Sequence, residues 1–67
     1  MRFGILCVGT ELLFGKTINT NGAYVSEKLN EMGFDCLMQV TCGDNEDRIL
    51  QSLDYLFEYA DKIITIG

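Results

Sequence analysis

Phe3-Gly4-Ile5-Leu6-Cys7-Val8 runs without one charged side chain and stops at Gly9. A strand with one wet face alternates apolar and polar residues. A continuous apolar run of this length reads instead as a strand covered on both faces, which points to a parallel sheet with helices above and below. The rest of the chain must supply those covers.

It does so in regular alternation. Asn19 or Thr20 can cap a helix in which Gly22, Val25, Leu29 and Met32 recur at three and four residues, with Glu27, Lys28 and Glu31 outside. Gly33 ends it as the left-handed residue past the C-terminus. From Phe34 to Cys42, the residues Cys36, Met38, Val40 and Cys42 alternate with Asp35, Gln39 and Thr41, and Leu37 is an extra apolar residue. This is a second strand, well buried on one face, partly wet on the other and nearer an edge. Gly43-Asp44-Asn45 turns the chain, and Asp44 or Asn45 caps a second helix whose first turn holds Glu46 and Asp47, as the helix dipole prefers. Ile49, Leu53, Leu56 and Ala60 form its apolar stripe, widened by Leu50 and Phe57. Ile63-Ile64-Thr65-Ile66 is a β-branched third strand, expected to be buried, that closes at Gly67.

A β-α-β-α-β order implies an α/β fold with parallel strands and right-handed crossovers. If the first strand lies between the other two, in the order 2-1-3, the helices fall on opposite faces and a topological switch point opens between strands one and three. Ligands of open α/β sheets bind at such points, outside the carboxyl ends of the strands. Here that edge carries Gly9-Thr10-Glu11 and Gly67. Two helices leave part of a three-strand sheet uncovered, so residues 1–67 are expected to be the N-terminal part of one larger domain.

Composition narrows the class of partner. Ten acidic residues face five Lys and Arg, for a net charge of −5 and no basic run, which argues against nucleic acid and anionic membranes. The early apolar segment is too short for a membrane span or secretory core. Cys7, Cys36 and Cys42 form an odd set without zinc spacing, and read as buried thiols of a cytoplasmic protein. With no histidine in the chain, imidazole-based nucleophile and base pairs are excluded within these residues.

The loop from Gly9 to Asn21 concentrates the chemistry. Gly9 and Gly15 permit close backbone approach, and the amides at the start of the following helix, around Asn19, Thr20 and Asn21, suit a phosphate. Glu11 can coordinate magnesium, position a water or hold a ribose hydroxyl, and the residue types leave these open. Asp44 follows strand two on the same carboxyl edge, where two carboxylates can share a metal; taken alone, Gly-Asp-Asn is an ordinary helix cap. Caps and turn glycines account for much of the loop without any ligand. Gly15-Lys16-Thr17 matches the end of a nucleotide-triphosphatase phosphate loop, but five residues separate Gly9 from Gly15 where that motif needs four. Lys16 is then a solvated or phosphate-facing charge.

Three stretches carry a resemblance. Val-Gly-Thr-Glu-Leu-Leu-x-Gly-x-x-x-Asn-Thr-Asn at 8–21, Gly-Asp-Asn at 43–45 and Asp-x-Ile-Ile-Thr-x-Gly at 61–67 resemble the N-terminal domain of the competence/damage-inducible CinA proteins, within the larger molybdopterin-binding (MoaB/MogA/MoeA-like) fold family. The resemblance implies a complete three-layer α/β/α domain with divalent-metal-dependent ADP-ribose pyrophosphatase activity, often followed by a nicotinamide-mononucleotide deamidase domain. Alternatives within its reach are a molybdopterin-binding protein of cofactor assembly and a non-catalytic nucleotide-binding or oligomerisation module. It places Glu11 and Asp44 as catalytic residues and ligands of a divalent cation such as Mg2+. Gly9, Thr10, Gly15, Asn19, Thr20, Asn21 and Gly67 line the ligand, a nucleotide of the ADP-ribose type or a pterin. The complete protein is expected to be a homo-oligomer. Asn19 stands where the molybdopterin relatives have an aspartate, which favours the CinA branch because one potential metal ligand becomes neutral. The family continues past Gly67 into Gly-Gly-Leu-Gly-Pro-Thr and acidic residues, so the segment by itself is expected to be inactive.

Overall fold

The computed structural model describes residues 1–15 and 18–67. Its elements follow the order β1 (Arg2–Val8), α1 (Thr10–Leu13), α2 (Thr20–Glu31), β2 (Asp35–Cys42), α3 (Glu46–Phe57) and β3 (Lys62–Ile66). The three strands are parallel in the order β2-β1-β3. Alternate residues of β1 feed two cores, as expected of a central strand. Ile5 and Cys7 pack with Leu29 and Val25 of α2 on one face, while Leu6 packs with Leu56, Ile49 and Leu53 of α3 on the other. The result is helix, sheet, helix in three layers.

Both long helices start on asparagine caps. Asn19 Oδ1 accepts the Gly22 N–H at 3.0 Å, and Asn45 Oδ1 accepts the Arg48 N–H at 3.2 Å. Each satisfies an amide that has no partner within its helix. α2 ends in a Schellman motif: Phe34 donates to the Leu29 carbonyl at 3.0 Å, Gly33 to that of Asn30 at 3.1 Å, and Gly33 has φ +85°. Phe34 then packs beside Phe3, with ring centroids 5.2 Å apart.

Several sequence expectations change. Met32, expected on the buried stripe of α2, is exposed because it sits at the C-cap and the turn brings Phe34 into the core in its place. Leu50 and Phe57, expected to widen the α3 stripe, are exposed, seven residues apart on the flank away from the sheet. β3, expected to be buried, is an edge strand of this sheet, with Ile63, Ile64 and Ile66 half-buried. The first turn of the expected loop is helical, forming α1.

The largest change concerns β2. Phe3 pairs with Cys36 but Gly4 pairs with Met38, so Leu37 is the extra residue of a β-bulge. A bulge reverses the alternation beyond it. Cys36 therefore joins the α2 core with Phe3, whereas Met38, Val40 and Cys42 join the α3 core. Cys36 is half-buried instead of buried, and all three thiols are free. No helix among the described residues is long and apolar enough to cross a membrane. The expectation for Lys16 falls outside the described residues.

Candidate functional site

All three strands run in one direction, so the carboxyl ends of β1, β2 and β3 share an edge and the segments that follow them meet there. α1 leaves β1 at this edge and divides it into two cavities. One, of about 110 Å3, lies between β1 and β3. Glu11, Asn19, Thr20, Asn21 and Gly67 surround it, and Cys7, Val8, Leu12 and Ile66 supply its apolar lining. The other, of about 400 Å3, lies between β1 and β2 at the start of α3, and Thr10, Leu13, Thr41, Cys42, Gly43, Asp44, Asn45 and Arg48 line it. An open groove of about 680 Å3 along the outer part of α2, lined by Glu27, Asn30 and Gln39 among others, holds no residue of the carboxyl edge.

The residues expected at a site are thus sorted by α1. Glu11 faces the switch-point cavity with Asn19, Thr20, Asn21 and Gly67. Thr10 and Asp44 face the larger one, so the two carboxylates stand in separate cavities. Gly9 and Gly15 line neither. Gly9 donates its N–H to the Cys42 carbonyl at 3.0 Å, carrying the pairing of β1 with β2 past the strand end, and Gly15, at φ +72°, turns the chain after α1. Arg48, which the sequence does not single out, lines the larger cavity together with Leu13. Position was the available signal: Arg48 lies in the first turn of a helix that starts at the carboxyl edge.

Contacts between the β1 and β2 ends hold the partition. Thr10 Oγ1 accepts the Asp44 N–H at 3.2 Å. A Cβ built on Gly43 would stand 3.4 Å from Leu13 Cδ1 and 3.7 Å from Thr10 Oγ1, so α1 packs directly on the Gly43 turn. Gly22 does the same for α2. A Cβ there would meet Cys7 Sγ at 3.1 Å and Asn19 Nδ2 at 2.9 Å, so the absence of a side chain lets the start of α2 rest on β1.

Residues 4–67 match the family described as "Probable molybdopterin binding domain". The chain belongs to this molybdopterin-binding domain family. It is 49% identical over its whole length to a "Putative competence-damage inducible protein" of Clostridium botulinum (strain Loch Maree / Type A3), and 48% identical to a "CinA-like protein" of Kosmotoga olearia. The chain spans 16% of the length of each of these relatives. A crystal structure of the protein CinA, with unknown function, from Thermoplasma acidophilum superposes with a TM-score of 0.94 at 27% identity, covering 98% of this chain and 39% of that one. The fold of this molybdopterin-binding-type, CinA-like domain is therefore that of its relatives, with the switch point in the place where the strand order puts it.

Among the described residues, no group of three or more Cys, Asp or Glu gathers around one point. A divalent cation of the magnesium type does not require one. It keeps several waters and is commonly held by one or two carboxylates together with substrate phosphates. Glu11 beside the amides at the start of α2 fits that pattern. Asn19 is already committed as a cap through Oδ1, which leaves its Nδ2 as a donor toward an anion.

Proposed function

We propose that this chain contributes one wall of a divalent-metal-dependent nucleotide pyrophosphatase site that cleaves the phosphoanhydride of an ADP-ribose-type substrate. The supporting observation is the switch-point cavity: a carboxylate, Glu11, on one side and the start of a twelve-residue helix capped by Asn19 on the other, around about 110 Å3 of space. That volume is well below the roughly 300–1,000 Å3 of a site for a drug-sized ligand, and suits a phosphate group with a hydrated cation.

Phosphoanhydride hydrolysis asks for charge neutralisation on two phosphates and a positioned water, both possible without histidine. A bound divalent cation supplies the neutralisation, and Glu11 is the residue that would hold it. The amides at the start of α2 orient a phosphate, the Asn19 side chain donates to it, and Leu12 and Ile66 add apolar surface to the lining. Asp44, in the adjoining cavity with Asn45 and Arg48, contacts the portion of the substrate beyond α1.

The experiment is incubation of the protein expressed from its complete gene with ADP-ribose and Mg2+, following release of AMP. Turnover that disappears with a chelator supports the proposal, and its absence with every divalent metal overturns it. A second reading, pterin binding, draws on the description of the matched family. Titration with molybdopterin against ADP-ribose separates them, since preference for the pterin would replace the hydrolase reading.

A further inference from the structure

We infer that Thr10 is a positioning residue that couples the two cavities, holding the Gly43-Asp44 turn against α1 so that Asp44 and Glu11 keep one relation across the helical turn. This rests on the hydrolase reading above. α1 has four residues, too few to hold itself by its own helical bonds, and Gly9, its N-cap, has no side chain to satisfy the first amides. Its order comes from outside. Among the described residues, two hydrogen bonds tie it and its N-cap to the β2 side: the Gly9 N–H to the Cys42 carbonyl at 3.0 Å and the Asp44 N–H to Thr10 Oγ1 at 3.2 Å.

Only the second involves a side chain, and it joins residues 34 apart in sequence. Glu11 follows Thr10 directly and faces the opposite cavity. A hydroxyl that fixes the turn bearing Asp44 therefore also fixes the root of Glu11. Valine has the shape of threonine but cannot accept the Asp44 N–H, whereas serine can.

The test compares Thr10→Val and Thr10→Ser with wild type in the protein from the complete gene. Backbone amide NMR without ligand is expected to show loss of protection at Asp44 in the valine variant, together with shifts at Asn19, Thr20 and Asn21 across α1, and near wild-type signals in the serine variant. With ADP-ribose, the valine variant is expected to lose at least about fivefold in kcat with KM changed by less than about twofold, and serine to restore it. Amide changes confined to residues 43–45, or a wild-type kcat in the valine variant, overturn the inference. Should wild type hydrolyse no ADP-ribose, the proposed function falls, and the amide pattern alone decides on Thr10: spread across α1 supports the coupling, and confinement refutes it.

Discussion

The Glu11 carboxylate lies folded over the backbone of Gly9: a Cβ built on Gly9 would stand 2.6 Å from Glu11 Oε1 and 3.1 Å from its Cδ. Gly9 has φ 173°, extended backbone that any residue adopts, so its small size matters here and not its freedom to take unusual dihedrals. Glu11 is exposed and its carboxylate can swing away at little cost. Gly9→Ala is therefore expected to change stability by no more than about 0.5 kcal/mol while displacing the carboxylate from the switch-point cavity. Denaturant melts and ADP-ribose turnover measured together check this, with unchanged turnover as the contrary result.

Removing the carboxylate outright is the stronger version. Glu11→Ala is expected to lower metal-dependent turnover at least about tenfold, on the order of 1.4 kcal/mol of transition-state stabilisation. Full activity in that variant would take Glu11 out of the chemistry. The Asp44→Ala change, in the separate cavity, reads the contribution of the β2 side independently.

At Gly22 the same substitution meets a different environment. An alanine Cβ there faces buried Cys7 Sγ at 3.1 Å and Asn19 Nδ2 at 2.9 Å, as well as the mobile end of Gln39 at 2.7 Å. Gln39 can move aside, but Cys7 is in the core and Asn19 is occupied as a cap. Gly22→Ala is expected to destabilise by about 1–3 kcal/mol, the usual cost of overpacking, despite the better helix propensity of alanine. Urea unfolding measures it. A gain in stability would mean that α2 shifts freely on the sheet.

Gly4 plays the matching part on the α3 face. Its Cβ would meet Leu56 Cδ2 at 3.0 Å and Ala60 Cβ at 3.3 Å, and both neighbours are buried. A Gly4→Ala change is expected to cost about 1–3 kcal/mol in wild type and clearly less in a Leu56→Ala background, where the clashing methyl is gone. A double-mutant cycle reads the coupling; additive losses would show that α3 yields as a body.

Leu37 offers a test of register. Because it is the bulged residue, deleting it leaves Phe3 opposite Cys36 and Gly4 opposite Met38 in regular pairing. The deletion variant is expected to fold, with Cys7 and Cys42 still protected from thiol reagents and Cys36 still the fastest to react, following their burial. Exposure of Cys42 would show that the strand has slipped.

Much of this architecture follows from local pattern. The unbroken apolar run of β1 requires cover on both faces, and helix-period stripes flank the stretch that became β2, so the strand order and the opposed helices could be read from the chain. That the helices would be capped at Asn19 or Thr20 and at Asp44 or Asn45, and that Gly33 would be left-handed, was legible because these interactions reach no more than a few residues; the fold selects Asn19 and Asn45. Met32 and Phe34 were harder, because which of them enters the core depends on how far α2 extends over the sheet. Leu37 looked like a surplus apolar residue, and only the pairing of β2 with Phe3 and Gly4 turned it into a bulge that sends Cys36 to the opposite face.

The gathering of Glu11, Asn19, Thr20, Asn21 and Gly67 at one edge was implied by residue order, since parallel strands bring their carboxyl ends together whatever their side chains. What only the tertiary structure decided is that Glu11, on α1, and Asp44, after β2, line separate cavities. That separation depends on the Asp44 N–H reaching Thr10 and on the Gly43 turn lying against Leu13, contacts between segments thirty or more positions apart. A sequence states the capacity of each group to donate, accept or fill space, and a distance between two of them exists only once the chain has folded.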